Sequence, residues 1–71
     1  MARDVEIREG TIRLGQLLKL ADLIEAGSDA KTLIADGLVH VNGEVVHERG
    51  RQLHPGDVVR VGDDEVRLTT H

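Results

Sequence analysis

The chain opens with an alternation of apolar and charged residues over positions 4–8. Val5 and Ile7 alternate with charged neighbours, which is the period of a strand with one buried face. Gly10 follows shortly afterwards and interrupts the pattern, because glycine is a poor residue for the interior of a strand. The sequence therefore predicts a short edge strand here.

From Ile12 onward the apolar residues recur at the 3.6-residue period of a helix. Thr11 is a suitable N-cap residue, so we expect this helix to begin near Ile12. We expect the helix to break between Ala21 and Gly27. The face that should enter the core carries Leu14, Leu17, Leu18 and Ala21. The arc of about 120° that points away from it carries Arg13, Gln16 and Lys19.

A second, shorter helix is predicted over residues 29–36. Ser28 stands where an N-cap residue is expected, and the charge of Asp29 suits the positive end of the helix dipole. Gly37 stands where a left-handed residue commonly ends a helix. The buried stripe of this helix should consist of Ala30, Leu33 and Ile34.

A β-hairpin should follow the second helix. Asn42 and Gly43 separate two runs rich in valine, at 38–41 and 44–46. A two-residue type I′ turn needs a positive φ at both central residues, and Asn-Gly satisfies that need best. The hairpin is therefore predicted from neighbouring residues alone.

A second hairpin is predicted between residues 58–61 and 66–68, across Gly62-Asp63-Asp64-Glu65. Pro55-Gly56, between the two hairpins, suits the centre of a type II turn. Strand, helix, helix and four short strands predict one α+β domain over residues 1–71. We expect two short helices and a small, mainly antiparallel sheet of about four to five strands.

Composition limits the classes of function. The 71 residues include no Phe, Tyr, Trp or Cys, so the core must be aliphatic and no thiolate metal site can form. No segment approaches the roughly 20 apolar residues of a membrane span, and we expect a cytoplasmic protein, monomeric and not bound to a membrane. The 13 acidic residues exceed the 9 Lys and Arg residues, so any nucleic-acid site must be a local basic patch.

The sequence contains no recognisable catalytic set. It lacks a cysteine nucleophile, a Gly-x-Ser-x-Gly elbow and a phosphate-binding loop, so we predict a protein that is not an enzyme and needs no cofactor or small-molecule substrate. Its histidines lack the spacing of a metal site, although His40 and His47 could face each other across the first hairpin. The four histidines are His40, His47, His54 and His71.

Five segments in order resemble the S4-like RNA-binding domain, or αL motif, and especially its small stand-alone bacterial members. The resemblance extends from Ile12 to about Val61 without large gaps. The segments that carry it are Ile12 to Lys19, Ala30 to Ile34, Gly37 to Glu44, Arg49 to Leu53 and Gly56 to Val59.

The resemblance implies a fold in which two helices pack on a small sheet and present a basic surface to structured RNA. Ribosomal RNA and transfer RNA are the targets it implies, with the ribosome as the associated particle. By position, the residues it assigns to RNA binding are Arg13, Lys19, Ser28, Lys31, Arg49, Arg51 and Gln52.

Chemistry restricts how this chain could hold RNA. Proteins usually grip exposed bases by stacking aromatic rings on them, and this chain has none. RNA must therefore be held by phosphate contacts, shape and hydrogen bonds. Arginine suits this task because its planar fork donates two parallel hydrogen bonds to a phosphate.

Two alternatives from other classes stay open. The segments Val41 to Val46 and Leu53 to Val59 are also similar to the β-grasp sulfur-carrier proteins, which end in an activatable Gly-Gly. This sequence ends in Leu68-Thr69-Thr70-His71 and lacks those glycines. The other alternative is a protein-interaction module that does not bind RNA.

Overall fold

The computed structural model describes residues 2–8, 10–24 and 27–70, without the side chains of Ala2, Gly27 and Ser28. His71 lies outside the described residues. The elements are β1 (Ala2–Ile7), β2 (Ile12–Arg13), α1 (Leu14–Leu20), α2 (Gly27–Ala35), β3 (Val39–Val41), β4 (Glu44–Val45), β5 (Gln52–Leu53), β6 (Val58–Val61) and β7 (Asp64–Thr70).

Five strands form one sheet in the order β1-β7-β6-β3-β4. β1 is parallel to β7, and the other neighbours are antiparallel. The remaining strands, β2 and β5, form a separate antiparallel pair. The predicted α+β class and the edge position of the first strand are confirmed. No helix in the described ranges is long and apolar enough to cross a membrane.

The core is aliphatic and lies between the two helices and one face of the five-stranded sheet. The apolar faces predicted for the helices are buried, except that Leu33 is half-buried. Alternate strand residues complete the core, as the two-residue period of a strand requires. The side chains with at most 1% of their surface exposed include Leu14, Leu17, Leu18, Val39, Val41, Leu53, Val59, Val66 and Leu68.

Both helices end in a Schellman motif. In α1 the N–H of Leu23 donates to the carbonyl of Leu18 at 2.9 Å, and Asp22 has a φ of 61°. In α2 the N–H of Leu38 donates to the carbonyl of Leu33 at 3.1 Å, and Gly37 has a φ of 73°. These bonds satisfy carbonyls that the last turn of a helix leaves without partners. The predicted break after Ala21 and the predicted role of Gly37 are confirmed.

The predicted start of the first helix is wrong. Ile12 and Arg13 form β2 and pair with Leu53 and Gln52 of β5, so α1 begins at Leu14 and Thr11 does not cap it. Arg13 is the N-cap residue and is extended, with φ −81° and ψ 148°. The partner strand lies some forty residues further along the chain, and a local pattern carries no information about it.

The second helix also begins earlier than predicted. α2 starts at Gly27, so Ser28 is its second residue and not its N-cap. Gly27 takes a helical conformation, although glycine disfavours helices by about 1 kcal/mol relative to alanine. The predicted boundary relied on the preference of serine for the N-cap position.

The turns follow their residue types. Asn42 and Gly43 have φ values of 53° and 86°, as a type I′ turn requires. Gly56 has a φ of 96°, and the N–H of Asp57 donates to the carbonyl of His54 at 3.0 Å, which closes the predicted Pro-Gly turn. Both turn predictions are confirmed.

The second hairpin is tighter than predicted. Val61 pairs with Asp64, so the turn consists of Gly62-Asp63 and β7 begins two residues before the predicted position. Glu65 joins the strand because it lies opposite Arg60, and opposite charges across two strands stabilise their pairing.

The first hairpin sets the position of His40. This residue lies directly opposite Val45 of β4 and Arg60 of β6, and His47 follows the end of β4. The two histidines therefore do not face each other in register. No group of three or more His, Asp or Glu side chains within the described ranges could hold a metal ion.

Candidate nucleic-acid interface

The beginning of α1 brings two distant segments together. Arg13 lies opposite Gln52 in the β2–β5 pair. The N–H of Leu14 donates to the carbonyl of Arg51 at 2.9 Å, and the N–H of Gly15 donates to the carbonyl of Arg49 at 3.0 Å. The first N–H groups of a helix lack partners within the helix, so the segment 49–51 supplies them. Its backbone is thereby fixed against α1.

A shallow depression of about 310 Å³ lies where α1, α2 and the segment 49–51 meet. Its rim carries two guanidinium groups and an amide, and the other lining residues are small. The Oε1 atom of Gln16 accepts a hydrogen bond from the backbone N–H of Arg13 at 3.4 Å. The lining residues are Arg13, Gly15, Gln16, Ala30, Arg49 and Gly50.

α2 contributes to this region through its first two turns. Ala30 is buried and lines the depression, and the next residue, Lys31, is exposed. Asp29 is exposed in the first turn of the same helix, where its carboxylate would repel an approaching phosphate. We refer to Arg13, Lys31, Arg49 and Arg51 as the cationic surface.

This surface lacks ion pairs within the described ranges, although Arg51 lies close enough to Asp57 to help lower the pKa of that carboxyl group. All four side chains are exposed, and none makes an ion pair with another residue in the described ranges. Their charge is available to a ligand despite the acidic total of the chain. By contrast, Arg67 pairs with Asp4 at 3.3 Å.

The open face of the five-stranded sheet carries cations in a different setting. Arg60 is exposed and lies opposite Glu65 in the register of β6 and β7. Arg67 lies on the same face, and its partner Asp4 stands opposite it in β1. Positive and negative charges alternate on this face, so it offers a polyanion no cluster of free cations.

Asp57 anchors the segment that follows the cationic surface. Burial alone would raise the pKa of Asp57, but the backbone N–H of His54 donates to it at 2.8 Å and the amide of Asn42 donates at 3.1 Å. These bonds outweigh burial, and the charges of His54 and Arg51 act in the same direction. The pKa of Asp57 is therefore lowered, and Arg51 lies close enough to influence it.

Of the seven predicted RNA-binding residues, only Arg13 and Arg49 are found among the described residues that line the depression. Lys19 is exposed in the last turn of α1, about 9 Å further along the helix axis than Arg13. Gln52 is exposed beside Arg13 but does not line the depression. Ser28 lies in the first turn of α2. Among the described side chains, Lys19 and Gln52 do not line the depression, and neither do Lys31 and Arg51. The side chain of Ser28 lies outside the described residues.

The sequence analysis did not assign Gly15, Gln16 or Ala30 to the site, whereas Gly50 belongs to the Arg49-Gly50-Arg51 loop that the resemblance implies for RNA binding. A signal existed for Gly15, since glycine among residues at helical spacing is about 1 kcal/mol less favourable than alanine. Gly15 is not among the glycines with a positive φ. The roles of Gln16 and Ala30 as lining residues follow only from the pairing of distant segments.

A second groove, of about 430 Å³, lies on the other side of Gln16. Its lining is mixed, and the exposed side chain of Leu20 forms part of it. Among the described side chains, no predicted RNA-binding residue lines this groove. The lining residues are Glu6, Ile7, Arg8, Thr11, Ile12, Gln16 and Leu20.

Known proteins resemble this chain over most of its length. Residues 5–69 match the family model of the S4 domain. The chain is 46% identical over 61 residues to the "Probable ribosome maturation protein RlbA" of Bacillus subtilis (strain 168). The aligned residues make up 86% of this chain and 86% of that protein. It also resembles the crystal structure of the 30S ribosomal protein S4e from Thermoplasma acidophilum, with a TM-score of 0.63 and 25% identity over 84% of this chain. The chain spans only 32% of that S4e protein.

Proposed function

Because the chain belongs to the S4 domain family, we propose that it binds structured ribosomal RNA through the cationic surface. Family membership favours this function over that of a sulfur carrier. The relative from Bacillus is named for ribosome maturation, and the structural neighbour is a ribosomal protein. The protein then acts in the cytoplasm as a binding protein and not as an enzyme.

One observation carries the proposal most strongly. The carbonyls of Arg49 and Arg51 accept hydrogen bonds from the first two residues of α1, directly beside Arg13. Three arginines from two distant segments therefore converge around the beginning of one helix. Arginines held on a fixed backbone can donate paired hydrogen bonds to the phosphates of an RNA helix.

The depression gives a phosphate group a place to bind. Its small lining residues, Gly15, Ala30 and Gly50, let a phosphodiester approach the protein backbone closely. Arg13 and Arg49 on the rim provide charge-assisted hydrogen bonds, which are about twice as strong as neutral ones. Bases need not be stacked, in keeping with a chain that has no aromatic residues.

Paired arginine variants test the proposal. Arg13→Gln combined with Arg51→Gln removes two cations of the cationic surface. The logarithm of the binding constant falls with the logarithm of the salt concentration, with a slope of about 0.8 per phosphate contact. Losing one contact therefore lowers the binding constant about sixfold at 0.1 M salt. We expect a loss of about 40-fold in fluorescence-anisotropy titrations with purified bacterial 16S and 23S ribosomal RNA.

The matched control combines Arg60→Gln with Arg67→Gln, which changes the net charge equally on the open face of the sheet. We expect this control to bind within about threefold of the wild type. The proposal fails if both double variants lose affinity equally, or if the wild type binds neither RNA more tightly at low salt than at high salt.

A further inference from the structure

Gly15 is the second residue of α1, and the segment 49–51 packs directly on it. Its N–H donates to the carbonyl of Arg49 at 3.0 Å. A β-carbon built on Gly15 would lie 2.8 Å from Cγ and 3.3 Å from Cδ of Arg49. The first distance is shorter than two carbons can approach without displacement. The aliphatic stem of Arg49 therefore occupies the space that any other side chain at position 15 would fill.

The backbone gives no other reason for a glycine at this position. Gly15 does not have a positive φ, whereas Gly37, Gly43, Gly56 and Gly62 do. Glycine is also among the least favourable residues inside a helix. What sets Gly15 apart is its contact with one side chain, and that side chain belongs to the cationic surface.

We propose that Gly15 is a positioning residue for RNA binding, because it provides the space in which the stem of Arg49 lies beside Arg13 and Gln16. This inference rests on the proposed function. All three side chains, with Gly15 itself, line the same depression. A methyl group at position 15 would displace the stem at Cγ, close to the backbone, so the guanidinium group would move away from the rim.

The test is Gly15→Ala, measured by anisotropy with whichever of the 16S and 23S ribosomal RNAs binds more tightly. We expect an affinity loss of about sixfold at 0.1 M salt and a fall of 0.7 to 0.9 in the magnitude of the log–log salt slope, as for one lost phosphate contact. Gly10→Ala is the matched control, since no atom lies within 4 Å of a β-carbon there and Gly10 has no left-handed φ. We expect it to leave affinity and slope unchanged.

A double-variant cycle separates positioning from a general effect on the fold. Arg49→Ala removes the stem, so we expect Gly15→Ala to cause no further loss of affinity in that background. In the same background the alanine should raise the melting temperature, because the clash is gone and the gain in helix propensity remains. Affinity losses that add in the double variant would overturn the inference, as would a Gly15→Ala protein with wild-type affinity and slope.

Failure of this inference is distinguishable from failure of the proposed function. If Arg13→Gln with Arg51→Gln weakens binding but Gly15→Ala does not, only the role of Gly15 is refuted. If the arginine variants have no effect, the cationic surface is not the RNA site and the inference falls with it. Amide NMR spectra that keep their dispersion establish that each variant is folded.

Discussion

Gly37 illustrates how a single residue can determine the end of a helix. It has a φ of 73°, and its N–H donates to the carbonyl of Ile34 at 3.1 Å. Any residue with a β-carbon is strained in this conformation. The chain then turns directly into β3, so this one torsion angle sets where α2 stops and where the hairpin begins.

We expect Gly37→Ala to lower the free energy of unfolding by about 1–2 kcal/mol, as a left-handed φ is costly for alanine. Urea denaturation measures the change, and Gly10→Ala is the control because it is neither crowded nor left-handed. An equal change in both variants would mean that the left-handed φ does not matter.

Asp57 joins the Asn-Gly turn to the Pro-Gly turn. One of its carboxylate oxygens accepts from the Asn42 amide, and the other accepts from the His54 backbone N–H. The carbonyl oxygen of the same Asn42 amide accepts from the N–H of Val58 at 3.0 Å. The pKa of Asp57 is lowered from its ordinary value of 3.8 by these contacts, which outweigh the opposing effect of burial.

A carboxyl group whose pKa is lower in the folded state stabilises the protein above its unfolded pKa and loses that effect as the pH falls through its folded pKa. We therefore expect Asp57 to stabilise the fold above about pH 4 and to contribute progressively less below it. The free energy of unfolding, measured by urea denaturation, should therefore fall less between pH 5 and pH 2 in Asp57→Asn than in the wild type. Asp63→Asn, in an exposed turn, is the control, and the interpretation is wrong if both variants retain the wild-type limb.

The elements that could be predicted from the sequence are those with local causes. Leucines at helical spacing predict α1, Asn42-Gly43 predicts the first hairpin, and Gly37 predicts the end of α2. The β2–β5 pair could not be predicted, because Ile12 finds Leu53 only when the whole chain is folded. The start of α1 was misplaced for the same reason.

Leu53, which belongs to the unpredicted β2–β5 pair, should contribute to the stability of the fold through its buried side chain. It is completely buried in the aliphatic core, so Leu53→Ala should lower the free energy of unfolding by about 2–4 kcal/mol through lost contacts and a cavity. Leu20→Ala removes the same atoms from a side chain that is 57% exposed, and we expect it to change stability by less than about 0.5 kcal/mol. Urea denaturation compares them, and equal losses would contradict the burial of Leu53.

At the scale of the whole molecule, the proposed function requires an acidic chain to bind a polyanion through the four residues of the cationic surface. The formal net charge is −4, which disfavours non-specific association with polyanions. On the open sheet face Arg67 is paired with Asp4, whereas the cationic surface has no ion pairs with other described residues. If the proposed function is correct, RNA binds on the side of the molecule that carries the cationic surface.

The candidate site was predictable only in part. The resemblance to the S4 domain supplied Arg13, Lys31, Arg49 and Arg51, since each falls at a matching position of the motif. It could not supply Gly15 or Gln16, because their role depends on the packing of the segment 49–51 against α1. Side-chain contacts between distant segments follow from the three-dimensional structure and not from local spacing.

Chemical footprinting of arginines tests the central claim most directly. Phenylglyoxal modifies accessible guanidinium groups, and mass spectrometry gives the rate at each residue with and without bound ribosomal RNA. The account predicts that RNA slows modification of Arg13, Arg49 and Arg51 but leaves Arg60, on the open sheet face, unchanged. Protection of Arg60 with continued modification of the other three would contradict it.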